Sequence, residues 1–241
     1  MKIALIGYGK MGHIIERIAL ERGHEVVSKV DVDNQEEFES EAFASADVAI
    51  EFTVPAKAVE NYRKAWAAGV PVVSGTTGWN AVLPELKEEI AANGYTLFWA
   101  SNFSLGVNLF FELNRRLAQM MNRYANYDVA MTEIHHTEKK DAPSGTAITL
   151  AEGVLENLDR KEEWVLVDSQ QSTVNSQLGI EALREGKVPG THIVSYDSAV
   201  DTITIKHEAK SREGFALGAV VAAEFLVGKP AGFYSMSDLI K

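Results

Sequence analysis

Cysteine is missing from all 241 residues. That absence excludes a disulfide framework, thiolate metal sites and a cysteine nucleophile together. Positive charge is in deficit: 23 Lys and Arg stand against 34 Asp and Glu, a formal net charge of −11. Such a balance disfavours nucleic acid as a partner and favours solubility. It leaves an anionic small molecule open, because a few local cations outweigh a distant negative excess. Long apolar runs are also lacking. The opening Met1-Lys2-Ile3-Ala4-Leu5-Ile6-Gly7 is too short for a signal peptide, and no stretch approaches a membrane span. The expectation is a cytoplasmic chain with no membrane partner. Internal repeats, low-complexity tracts and Gly/Ser linkers are absent as well.

What is present reads as an ordinary globular protein, 46% hydrophobic and 24% charged, large enough to hold its core without staples. Over the first hundred residues strand-like and helix-like segments alternate. Apolar runs at 2–6, 25–30, 48–52, 70–74 and 96–100 predict strands. Helical patterns fall at 14–22 before Gly23, at 55–67 after Pro55, and near 81–92. The rhythm predicts a parallel sheet with helices on both faces. It then changes. A long helix after Asn102 carries Leu109, Leu113, Leu117 and Met120 on one face, and a strand runs from Tyr127 to His136. A helix begins near Ser144, and further strands are expected at 164–167, 192–198 and 202–209. The last apolar helix, Phe215–Leu226, is read as having no strand after it and as packing back on the first domain. The fold class is therefore α/β. A Rossmann-type dinucleotide-binding domain spans 1–102 and 213–241, and an α+β substrate and oligomerisation domain with a mixed sheet spans 103–212.

Gly7-Tyr8-Gly9-Lys10-Met11-Gly12 fits G-x-G-x-x-G between the first strand and the first helix. There the first glycine permits the turn, the second lets the backbone approach a pyrophosphate, and the third lets helix and strand pack closely. The helix N-terminus supplies free N–H groups. Asp31 lies nineteen residues past Gly12, the spacing of the acid that takes the adenosine ribose hydroxyls; the rival reading is a solvated loop acid beside Asp33 and Glu36. No arginine follows Asp31. Lys10 and Lys29 keep NADPH open, but the pattern favours NADH or dual use. Phe52-Thr53-Val54-Pro55 and Gly75-Thr76-Thr77-Gly78 follow strands, where an open parallel sheet places its ligand crevice.

The densest chemistry is Glu133-Ile134-His135-His136-Thr137-Glu138-Lys139-Lys140-Asp141-Ala142-Pro143-Ser144-Gly145-Thr146. Ser144 is a natural N-cap. Ser144, Gly145 and Thr146 can offer hydroxyls and N–H groups to a carboxylate, Lys139 a positive charge, and a histidine a proton near neutral pH. A metal is not expected, since adjacent strand residues point to opposite faces and no H-E-x-x-H spacing occurs.

This segment resembles the signature of the dihydrodipicolinate reductase family, also called 4-hydroxy-tetrahydrodipicolinate reductase. The likeness extends to Gly7–Gly12, Phe52–Pro55, Gly75–Gly78, Ser101–Asn108 and His207–Arg212. The resemblance implies a nicotinamide-dependent enzyme of lysine and diaminopimelate biosynthesis. Its substrate would be a cyclic imine dicarboxylate, reduced at ring C4 after the 4-hydroxy precursor loses water. It further implies His135 as proton donor and Lys139 as an essential lysine. His136, Ser144, Gly145 and Thr146 would hold carboxylates, and Thr77 beside Gly75 would touch both substrate and nicotinamide. Arg212 would lie on the cofactor side, and the assembly would be a homotetramer built through the second domain's sheet. Only about fifteen residues separate Asp31 from the strand at Val48, so an insertion that some relatives carry is missing, which bears on the adenosine end. Among rivals, a thiohemiacetal-forming aldehyde dehydrogenase is excluded for want of cysteine. A homoserine or aspartate dehydrogenase, or a redox sensor that binds NADH without turnover, is separated by substrate screening and a turnover assay.

Overall fold

A computed structural model describes residues 1–168, 176–211 and 213–241. In chain order the first stretch holds β1 (Lys2–Ile6), α1 (Lys10–Glu21), β2 (Glu25–Val30), α2 (Glu41–Ala44), β3 (Val48–Glu51), α3 (Pro55–Ala67), β4 (Val72–Ser74), α4 (Leu83–Asn93) and β5 (Thr96–Trp99). The middle holds α5 (Leu105–Met121), β6 (Asp128–His135), α6 (Gly145–Leu155), β7 (Glu163–Val167), β8 (Gln177–Arg184), β9 (Thr191–Asp197) and β10 (Thr202–Glu208). The end supplies α7 (Glu213–Leu226), β11 (Gly232–Tyr234) and α8 (Met236–Leu239). Two compact units result: Met1–Leu105 with Glu213–Lys241, and Gly106–Arg212.

The first unit is built on a six-stranded sheet in the order β11-β5-β4-β3-β1-β2, parallel at every pairing. Its strands are short continuous apolar runs because both faces are covered. Ile3, Leu5, Ile50, Val73 and Phe98 point to one side, against Ile15, Ala19, Ala219 and Val220 of α1 and α7. Ala4, Ile6, Ala49, Val72 and Leu97 point to the other, against Tyr62, Trp66, Leu86 and Ile90 of α3 and α4. The carboxyl ends of β1, β3 and β4 thus all open on one edge, where the Gly7, Phe52 and Gly75 loops follow. One expectation needs correcting: a strand does follow the last helix. Gly232–Tyr234 pairs in parallel with Thr96–Phe98. Three residues are too few to show a period, and the strand exists because β5 offers an open edge.

The second unit carries a mixed sheet in the order β10-β9-β6-β8-β7. The β6–β8 and β7–β8 pairings are parallel, the β6–β9 and β9–β10 pairings antiparallel. Its core joins Phe110 and Met121 of α5 and Leu150 and Val154 of α6 to Met131, Ile180, Val194 and Tyr196 of the sheet. The strand β8 is absent from the sequence reading, because Gly179 in its middle and charges at Glu181 and Arg184 hide any alternation. The apolar stripe of α5 is also not its buried face. Val107, Phe110, Asn114, Ala118 and Met121 are buried, while Leu109, Leu113 and Met120 are at least half exposed. On the sheet face opposite the core, Ala130, Thr132, Ile134, Ser195 and Thr204 are half-buried or exposed. No described helix is long and apolar enough to cross a membrane.

Candidate active site

In the first unit the chain leaves β1 through Gly7, at φ +88°, a backbone state open to glycine at little cost. Its N–H donates to the Val30 carbonyl at 2.8 Å. A side chain at Gly12 would place its Cβ 2.5 Å from the Gly7 carbonyl oxygen, whereas one at Gly9 would meet nothing within 4 Å. The three glycines therefore do different jobs: turn, open approach and close packing. Gly9 also caps α1 without a side-chain acceptor, and the first turn carries no acid, so its N–H groups are left for an anion.

A cleft of about 470 Å³ lies over this helix start, lined by Gly9, Lys10, Met11, Phe52, Thr53, Pro55, Gly75, Thr76 and Thr77. Open space at Gly9, an uncapped helix start and a glycine-rich wall suit a dinucleotide pyrophosphate. Asp31 stands at the end of β2, its Oδ2 accepting the Tyr8 N–H at 3.3 Å and its Oδ1 the Val32 N–H at 2.8 Å. Lys29 is already engaged, 2.5 Å from Glu16 Oε1 and 3.1 Å from the Tyr8 hydroxyl. Lys10 is exposed. Arg212 lies outside the described residues.

Beneath the cleft sits a group that sequence reading missed. Glu51, fully buried, accepts from the Thr53 hydroxyl, the Ser74 hydroxyl at 2.5 Å and the Thr76 hydroxyl at 2.9 Å. Thr76 in turn accepts the Thr53 N–H at 2.8 Å. One carboxyl thereby ties the loop after β3 to the loop after β4. Burial pushes its pKa up, against the pull of these hydroxyl donors. The network also separates the paired threonines: Thr76 is buried and turned to Glu51, while Thr77 is exposed. An acid at the end of an apolar strand is the only local signal, and its partners lie up to 25 residues away.

In the second unit β6 ends in His135, which faces the core side with Glu133. Ser144 caps α6, its Oγ accepting the Ala147 N–H at 3.2 Å and lying 3.2 Å from His192 Nε2. Its own N–H donates to both oxygens of Glu133 at 3.1 Å. Ser144 is thus engaged at both its N–H and its hydroxyl, while Gly145 is exposed and Thr146 half-buried. Lys139 Nζ lies 2.8 Å from both oxygens of Asp141, and this pair holds the Asp141 carboxyl below its usual range. His136 is half-buried and its carbonyl accepts the Lys139 N–H at 3.1 Å. Burial lowers the His135 pKa, opposed by the nearby Glu133 charge and reinforced by Lys139 and Arg184. Burial also drives His192 down to about 3.

Sequence reading set metal aside by considering the adjacent histidines. The fold instead joins His135 to His192 of β9, and these two with Glu133 place ligand atoms within 4.8 Å of one another. Glu133 of that set is already engaged: Arg184 Nη2 lies 3.3 Å from its Oε1 and both its oxygens accept the Ser144 N–H. The Nδ1 atoms of His135 and His192 have no hydrogen-bond partner among the described residues. The trio is a charge-compensated polar cluster around His135.

Comparison with known proteins decides which family this geometry serves. The model described as "Dihydrodipicolinate reductase, N-terminus" matches residues 1–103, and that described as "Dihydrodipicolinate reductase, C-terminus" matches residues 106–240. The chain belongs to the dihydrodipicolinate reductase family. A 4-hydroxy-tetrahydrodipicolinate reductase of Christiangramia forsetii is 48% identical over 240 residues, covering 100% of this chain and 98% of its own. One from Methanopyrus kandleri is 42% identical, over 81% of this chain and 71% of its own. Among solved structures, a dipicolinate-bound dihydrodipicolinate reductase from Paenisporosarcina sp. TG-14 shares the fold. Its TM-score is 0.74 at 20% identity, over 98% of this chain and 97% of that one. This family member is accordingly a nicotinamide-dependent oxidoreductase that reduces 4-hydroxy-tetrahydrodipicolinate in lysine and diaminopimelate biosynthesis.

Proposed function

We propose that the first unit is the dinucleotide-binding domain and the second the substrate and oligomerisation domain, and that each site residue acts as follows. Gly7, Gly9, Lys10, Met11 and Gly12 take the pyrophosphate on the α1 N-terminus, and Asp31 takes the ribose hydroxyls. Phe52, Thr53, Gly75, Thr76 and Thr77 border the nicotinamide, with Arg212 on the same side. A bound reduced nicotinamide supplies the hydride. Gly145 and Thr146, placed by the Ser144 cap, hold one substrate carboxylate, and His136 the other. His135 or Lys139 delivers the proton that balances the hydride, an effect worth about 10²–10⁴-fold.

The observation that carries this reading is the cleft over the start of α1. All nine of its lining residues fall in the glycine loop or in the two strand-end segments that the sequence assigns to the ligand crevice. Asp31 beside the glycine loop, with Lys29 neutralised by Glu16, favours NADH or dual use over strict NADPH dependence. The dicarboxylate nature of the ligand is supported by the dipicolinate-bound relative. The half-exposed face of the second sheet supports assembly as a homotetramer through that face, and a cytoplasmic site of action fits a biosynthetic enzyme. Mixing purified protein with freshly generated 4-hydroxy-tetrahydrodipicolinate, and following NADH and NADPH oxidation separately, tests the reading. Turnover with NADH at least matching NADPH is expected. Cofactor binding without turnover would overturn it.

A further inference from the structure

The least expected group in the second unit is Glu133. Its side chain is about 1% exposed, and a buried carboxylate is costly unless charges and donors compensate it. Compensation comes from three separate segments. Arg184 Nη2, from β8, lies 3.3 Å from Oε1 and donates to the Asp141 carbonyl at 2.6 Å. The Ser144 N–H bonds both oxygens at 3.1 Å. His192, from β9, brings its Nε2 within 3.8 Å of Oε2 while holding the Ser144 hydroxyl. The fourth neighbour is His135, whose Nδ1 lies 3.4 Å from Oε2. An apolar residue of similar volume would fill this position at lower cost if packing were its only purpose.

On the far side of the same imidazole stands Gly190. A Cβ there would come within 3.1 Å of His135 Nε2. The ring therefore has a carboxylate 3.4 Å away on its Nδ1 side, where Nδ1 has no hydrogen-bond partner among the described residues. On its Nε2 side lies the close backbone of a glycine, where any side chain would press against that nitrogen. A carboxylate beside Nδ1 favours the proton on that nitrogen and leaves the other to exchange protons. From these contacts we propose that Glu133 is a positioning residue for the reduction, holding His135 with Nδ1–H toward itself and Nε2 free. The inference rests on the reading of His135 as proton donor. The charged and titratable groups facing His135 are Glu133 on its own strand, Lys139 and Asp141 on the following loop, Arg184 on β8 and His192 on β9, with His207 of β10 beyond His192. Glu133 and Asp141 favour the imidazolium; Lys139, Arg184 and burial oppose it.

The test begins on the unaltered protein. Imidazole ¹⁵N NMR should show neutral His135 as the Nδ1–H tautomer; an Nε2–H tautomer would overturn the proposal. Glu133→Gln should then lower kcat by about 10- to 100-fold and leave NADH affinity unchanged. It should also move the basic limb of the kcat–pH profile down by about one unit, because the carboxylate no longer stabilises the imidazolium. Glu133→Asp should restore part of both. His135→Gln should abolish that limb, and adding Glu133→Gln to it should lower kcat no further. A wild-type limb in His135→Gln would sink the proton-donor reading itself. Loss of the limb there, with a wild-type limb in Glu133→Gln, would sink the role of Glu133 alone.

Discussion

Gly9, in the loop after β1, and Gly12, three residues on in the first turn of α1, should fail in opposite ways when each becomes alanine. At Gly12 the new Cβ would sit 2.5 Å from the Gly7 carbonyl oxygen, closer than carbon and oxygen can approach, so helix or strand must shift. Overpacking of this kind costs about 1–3 kcal/mol, which for a chain of this size is roughly 2–12 °C in Tm. At Gly9 the backbone, φ −83° and ψ −153°, is open to alanine, and no atom lies within 4 Å of the added methyl. Alanine is a poorer N-cap than glycine but orders the unfolded chain, so stability should change by no more than about 1 kcal/mol. The methyl does, however, occupy the space where the phosphates must approach the helix N–H groups. NADH affinity should fall at least about tenfold, or about 1.4 kcal/mol. Thermal unfolding without ligand and a fluorescence titration with NADH separate the two effects. A Gly9→Ala variant that melts like Gly12→Ala, or that binds NADH as tightly as the native chain, would refute the division of labour.

Other consequences follow from the same contacts. Lys139→Ala should lower kcat by about 10²–10⁴-fold with an unchanged NADH dissociation constant; a collapse of cofactor affinity in the titration would show that the assignment is wrong. Asp31→Ala removes a charged acceptor worth about 1.5–3 kcal/mol, so KM for NADH should rise roughly 10- to 100-fold and KM for NADPH much less, read by parallel initial rates. His192, held down to about 3 by burial, stays neutral in the native chain while the unfolded chain binds a proton below about pH 6.5. Stability from this group is therefore present above that pH and falls as pH drops toward 3. The loss between pH 7 and 5 is about 2 kcal/mol, and denaturant unfolding of His192→Asn should show a correspondingly flatter slope over that range.

Much of this enzyme is written locally. The strands β1 to β5 of the first sheet are runs of three to six residues with helical periods between them, and both faces of a parallel sheet need only apolarity. The glycine loop, Asp31 at its fixed distance and the stretch from Glu133 to Thr146 are likewise short-range patterns whose chemistry is legible without a fold. Edges and pairings behave differently. Gly232–Tyr234 is a strand because β5 presents open N–H and C=O groups to it. Gln177–Arg184 is one because β6 and β7 flank it, whatever its glycine and charges suggest. The outward turn of Leu109, Leu113 and Met120 was likewise set by which side of α5 found Leu150 and the sheet.

The same division runs through the site. Which residues can hold phosphates, carboxylates or a proton was determined by the sequence, because those capacities belong to single side chains and to the turns they make. How the residues are arranged was decided by tertiary structure. Thr76 is claimed by Glu51 across 25 residues, Ser144 by His192 across 48 and Glu133 by Arg184 across 51. A buried polar group must find its partner wherever the fold brings one, and no local pattern records where that is.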